Sequence, residues 1–190
     1  VLGASGCGKS TLLRLIAGLE APDAGEIDVA GEIGFVFQEP RLFGWLDVEQ
    51  NVAFAARSAA ERARVPEVLA LVGLTGARTK LPKALSGGMA QRAALARALV
   101  RKPDVLLFDE PLAALDALTR LDLRAALRDI LAEAGATAVW VTHDVEDALT
   151  LGTRTIVLQR APGAVRAVEP AAGIDVGTRR ALLAALGVSA

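Results

Sequence analysis

Gly3, then four residues, then Gly8-Lys9-Ser10 match the pattern G-x-x-x-x-G-K-[ST] in full. Few short patterns restrict a fold so tightly. Such a loop wraps its backbone N–H groups around an anionic phosphate, and the helix after it points its positive end at the same spot. Gly3, Ala4, Ser5, Gly6, Cys7, Gly8, Lys9, Ser10 and Thr11 are therefore expected to cradle phosphate. Lys9, expected to be exposed in the loop, would reach the outer phosphates, and the Ser10 hydroxyl would sit on Mg²⁺. A loop of this kind hangs from a buried β-strand, and only Val1 and Leu2 precede it. With no initiator Met, the chain reads as a fragment cut at its amino end. Restoring the upstream strand is expected to raise the stability of the chain and its affinity for the phosphate ligand.

Helix and strand signals alternate along the 190 residues, which predicts an α/β fold with a mostly parallel sheet. Helices are expected over Ser10–Gly18, Asp47–Arg57, Val65–Leu74, Met89–Arg101, Ala117–Ala134 and Thr178–Leu186. Strands are expected at Glu26–Val29, Ile33–Phe37, Val105–Phe108, Ala138–Val141 and Ile156–Leu158. Residues 161–177, rich in Ala, Pro and Gly, read as irregular surface chain.

Composition removes several alternatives. Charge-free stretches reach only about ten residues, against the ~20 of a membrane-spanning helix. The formal net charge is −1, from 21 basic and 22 acidic residues, so there is no electrostatic footprint for nucleic acid. A single cysteine cannot form an internal disulfide and fits a reducing cytosol. That residue, Cys7, lies in the phosphate loop at a helix start, which can lower a thiol pKa; the loop could equally need only a small residue there.

Two further segments carry chemistry. The apolar run Val105–Phe108 ends in Asp109-Glu110, at the strand end where parallel sheets bind ligands. Asp109 could hold Mg²⁺ through water, and Glu110 could orient and deprotonate an attacking water. Ser86-Gly87-Gly88 opens a helix and reads either as a second anion site or as an ordinary serine cap. The lone histidine, His143, follows a strand and is structural or functional. Phe43 and Trp45 form either an exposed aromatic pair or part of the local core.

Taken together, these segments resemble the nucleotide-binding subunit of ATP-binding-cassette (ABC) transporters, in order and over nearly the whole chain. Gly3–Thr11 resembles the Walker A loop, Gln38 the Q-loop and Leu85–Met89 the signature motif. Val105–Glu110 resembles Walker B, Ala113–Asp116 the D-loop and His143 the switch histidine. Met89 stands where the family usually has Gln, and Ala113 where it usually has Ser. The resemblance implies a P-loop NTPase core in one nucleotide-binding domain over 1–190. A helical signature subdomain would be inserted at about 40–102, and the amino-terminal β-subdomain, with its adenine-stacking aromatic, would be largely missing.

It also implies ATP as substrate and Mg²⁺ held by Ser10, Gln38 and Asp109. Glu110 would be the general base, with His143 and Gln38 as further catalytic residues. Ser86, Gly87 and Gly88 would act in trans on the ATP of a second copy in a head-to-tail dimer, and Asp116 would tie the two sites. Gln38–Leu46, Leu85–Leu99 and Asp109–Arg120 resemble the importer subfamily for nitrate, aliphatic sulfonates and taurine. That predicts membrane permease partners, an indirect link to a substrate-binding protein, and a peripheral place on the cytoplasmic face of the plasma membrane. The rivals are a soluble ABC ATPase acting on nucleic acid or ribosomes, and a truncated non-catalytic remnant.

Overall fold

Apolar side chains at consecutive positions need a strand covered on both faces. In the computed structural model, Leu106, Leu107 and Phe108 satisfy that requirement, each with no exposed surface. The structure describes residues 1–159 and 165–168, together with Leu182 and Leu186. It divides into two compact units, Val1–Val29 with Val139–Ala190, and Ala30–Ala138.

The first unit begins with a two-residue strand, β1 (Leu2–Gly3), followed by the phosphate loop and helix α1 (Lys9–Ile16). Gly18, at φ +67°, ends this region in the left-handed conformation that glycine adopts without steric cost. Helix α7 (Val145–Leu151), strand β5 (Thr155–Leu158) and strand β6 (Val165–Val168) complete the described elements of this unit. β1 runs parallel to β5, with Leu2 opposite Val157, and β6 pairs antiparallel to β5. On its other side Leu2 bridges in parallel to Thr142; Thr142 N–H donates to the Val1 carbonyl at 3.0 Å. Leu2, Ala148, Leu149, Val157 and Leu182 form the core here.

The second unit holds strand β2 (Ile33–Val36), helices α2 (Val48–Phe54), α3 (Ala59–Ala63), α4 (Val65–Leu71) and α5 (Gly87–Leu99), strand β3 (Val105–Asp109) and helix α6 (Ala117–Ala134). Two 3₁₀ turns, Thr75–Ala77 and Pro82–Ala84, separate α4 from α5. β2 and β3 are parallel, with Ile33 opposite Val105 and Val36 opposite Phe108. Strand β4 (Thr137–Val141) starts in this unit, where Thr137 N–H donates to the Asp104 carbonyl at 2.9 Å.

The elements begin where side chains can cap them. Asp47 and Gln50 make a reciprocal capping box on α2. Asp116 caps α6 through the Thr119 N–H, and Gly135 closes that helix at φ +65°. Proline at the first turn of α4 uses the position where its missing N–H costs nothing.

Two expectations need correction, and two helices appear where none is expected. Glu26–Val29 forms no strand: Glu26, Ile27 and Asp28 are exposed, and their alternation alone supplies no ladder partner. The stretch 161–177, read as irregular, contains β6, whose four residues gain their order from pairing with β5. Helices α3 and α7 were not expected; Ser58 and Asp144 cap them. The expected helix Thr178–Leu186 lies outside the described residues except for Leu182 and Leu186, where Leu186 N–H donates to the Leu182 carbonyl at 3.1 Å.

Candidate active site

Two glycines in left-handed backbone, Gly6 at φ +78° and Gly8 at φ +100°, turn the phosphate loop back toward α1. Gly8 is the N-cap of α1 and supplies no side-chain cap. The first N–H groups of a helix have no carbonyl one turn earlier, so a capless start presents donors to an incoming anion. Gly3 is required for a different reason: a Cβ there would lie 2.6 Å from Cys7 Sγ and 2.8 Å from the Leu158 carbonyl oxygen. Cys7 therefore packs its sulfur against the loop's own first residue.

Lys9 corrects an expectation. It is only 4% exposed, and its ammonium donates to the carbonyls of Gly3, at 2.9 Å, and Ala4, at 3.0 Å. The cation is folded back across the loop, while Ala4, Ser5, Gly6 and Gly8 stay exposed.

His143 stands in the same unit. It follows β4 and Thr142, the residue bridged to Leu2, so it leaves its strand at the end where β1 gives way to the phosphate loop. The turn that carries it is hydrogen-bonded from both sides. Thr142 Oγ1 donates to buried Asp147 at 3.0 Å and accepts from Asp144 N–H at 2.9 Å. Asp144 in turn accepts from Glu146 N–H at 2.8 Å as the cap of α7. The sequence reading did not single out Thr142 or Asp147; a threonine and an aspartate five residues apart give no periodic signal.

In the second unit, Gln38 and the Asp109-Glu110 pair leave adjacent parallel strands at the same carboxyl end, because β2 and β3 are in register up to Val36 and Phe108. Glu110 adopts φ +45°, a conformation that non-glycine residues seldom hold. Such backbone persists where its surroundings enforce it, and it concentrates at functional sites.

Ser86 caps α5, accepting from Met89 N–H at 3.3 Å, and is exposed. The glycines after it meet the start of α6. A Cβ at Gly87 would lie 2.9 Å from Leu115 Cδ2, and one at Gly88 would lie 2.9 Å from Thr119 Cγ2. Arg120 donates to the Leu115 carbonyl at 3.1 Å and so fixes the Ala113–Asp116 turn. Hydrogen bonds from Thr119, its side chain first and its backbone second, hold the Asp116 carboxyl below its ordinary range. This cap is fully made at neutral pH and is lost as acid protonates the group.

Aromatic residues mark one more surface. Trp45 is 77% exposed and Phe54 64% exposed, with Phe43 ring-packed against both at 5.3 and 4.6 Å. Asn51, fully buried, holds the turn that presents them. Its amide donates to the carbonyls of Phe43, Leu46 and Asp47, and its oxygen accepts from Phe43 N–H. Trp45 thus follows the exposed reading. Among the described residues no group of three His, Cys, Asp or Glu side chains converges on a metal position. No described helix is long and apolar enough to cross a membrane.

The ABC transporter family matches residues 1–113. An aliphatic sulfonates import ATP-binding protein of Xanthomonas axonopodis pv. citri is 51% identical over 179 residues, 87% of this chain and 71% of the relative. A protein of the same description from Bacillus licheniformis is 45% identical over 180 residues, 90% of this chain and 71% of that one. A solved metal-chelate-type ABC transporter in an inward-facing conformation superposes with a TM-score of 0.81 at 28% identity, over 97% of this chain and 77% of that chain. With a complete phosphate loop, a carboxylate pair at the end of a buried parallel strand and this kinship, the chain belongs to the ABC transporter family, as its ATP-hydrolysing subunit.

Proposed function

We propose that the chain powers import of an aliphatic sulfonate through a membrane permease. Identity of 45% and above to relatives described as aliphatic sulfonates import ATP-binding proteins carries this reading. Nitrate and taurine are the neighbouring substrates. The transported ion would bind a separate binding protein and the permease, so selectivity is not written into this subunit's site.

Gly3–Thr11 would wrap the phosphates, with Lys9 swinging from the Gly3 and Ala4 carbonyls to the outer ones. Glu110 would take the proton of the attacking water, and His143 would hold the terminal phosphate region. Ser10, Asp109 and Gln38 offer the oxygen donors that Mg²⁺ prefers, and the ion would supply positive charge to the phosphate oxygens. Ser86, Gly87 and Gly88 would close on the ATP of a second, head-to-tail copy, with Asp116 beside the junction. Residues 40–102 would form the helical subdomain. The Phe43–Trp45–Phe54 surface would meet the permease, on the cytoplasmic face of the membrane.

The test is reconstitution with the permease and binding protein in vesicles. ATP hydrolysis is expected to rise when the binding protein carries an alkanesulfonate. A rise with nitrate but with no sulfonate would overturn the substrate assignment.

A further inference from the structure

Helix α5 starts at the glycines after Ser86, but further along it grips a different segment of its unit. Gln91, 4% exposed, donates from Nε2 to the Phe37 carbonyl at 3.1 Å. Six residues on, Arg97 donates to the Arg41 carbonyl at 2.7 Å and to the Pro40 carbonyl at 2.9 Å. These three bonds bracket Gln38 and Glu39 from both ends.

The bracketed segment needs holding. Arg41 sits at φ +47°, and Pro40 has no N–H to contribute. The Arg41 guanidinium lies 4.1 Å over the Phe37 ring, which stacks at 4.3 Å on Phe35 of β2. Arginine at 97 is specific to this task. Its planar fork reaches two carbonyls at once, whereas a lysine ammonium is a single point of charge.

We infer that Gln91 and Arg97 are positioning residues that hold Phe37–Arg41 so that Gln38 is presented at the carboxyl end of β2. The inference rests on the role given to Gln38 above. Because both anchors lie on the helix that begins beside Ser86, Gln38 is tied to the element that would face a second copy's ATP.

A double-mutant cycle on the full chain separates positioning from mere support. Arg97→Met, Arg97→Lys and Gln91→Leu are made alone and with Gln38→Ala, and kcat, KM, ATP affinity and thermal melting are measured. Loss of positioning is expected to lower kcat about ten- to a hundredfold, with ATP affinity close to the parent's and Arg97→Lys intermediate. In the Gln38→Ala background the same substitutions should lower kcat no further. Parental kcat in Arg97→Met, or losses that multiply with that of Gln38→Ala, would overturn the inference while leaving Gln38 its role. Parental kcat in Gln38→Ala itself would overturn that role, and the inference with it. If Arg97→Met does not fold, Arg97→Lys and Gln91→Leu decide by the same criteria.

Discussion

Glu110→Gln is expected to bind ATP and to hydrolyse it about 10²–10⁴-fold more slowly than the parent. The amide keeps the size of the carboxylate but cannot take a proton from water. The backbone should not move, because Glu110 follows β3, in which Leu106, Leu107 and Phe108 are fully buried and which is laddered to β2. Its backbone sits at φ +45°, which Gln adopts no less readily than Glu. Melting temperature should therefore match the parent's. ATP-bound dimer should accumulate on gel filtration with Mg-ATP, since closure no longer leads to turnover. Phosphate release measured at saturating ATP checks the prediction, and parental turnover would place the base elsewhere.

Lys9→Met should do the opposite and act on binding. The ammonium lies on the phosphate loop, against the Gly3 and Ala4 carbonyls, and hydrogen bonds to a charged group contribute about 1.5–3 kcal/mol. Losing one or two of them predicts ATP affinity lower by roughly 10- to 10⁴-fold. This substitution also has a structural cost, because Lys9 is buried and satisfies the carbonyls of Gly3 and Ala4. Met keeps the apolar stem but leaves both acceptors without that donor, so the melting temperature should fall as well. Titration with ATP, run below the variant's melting transition, separates the two effects. Parental affinity would contradict the phosphate role of Lys9.

The elements legible in the sequence are those whose signals are local. Helix α6 was readable from end to end because Asp116 caps it and Gly135 closes it. β3 was readable because an apolar run has only one environment that suits it. Ser86 is legible as the opening of α5, which it caps, though the regular helix begins at Gly87 and not at Met89. β6 is not legible because a four-residue segment acquires meaning only from its partner, the strand β5 it pairs with. 

Pairing across a sheet is non-local, and nothing within Val165–Val168 announces it. Lys9 was expected to be exposed because the loop motif says which residues meet phosphate. It does not say that the ammonium folds back on two carbonyls of its own loop. The site's motifs were legible as residue types at fixed spacing. The side chains that hold them in place, Gln91, Arg97, Asn51 and the Thr142–Asp147 pair, were not, because their partners are backbone groups or side chains of other turns and loops.

In the proposed head-to-tail dimer, ATP is hydrolysed between two copies, the phosphate loop of one facing Ser86–Gly88 of the other. Mixing Lys9→Met with Ser86→Ala tests it most directly. Each variant alone should be inactive, since every site in its dimer lacks either the lysine or the serine. In a mixed dimer, one site has the intact Lys9 of one copy and the intact Ser86 of the other. ATPase activity of the mixture, measured after exchange of subunits, is predicted to rise above that of either variant alone. A mixture no more active than its components, with mixed dimers shown to form, would contradict the composite site.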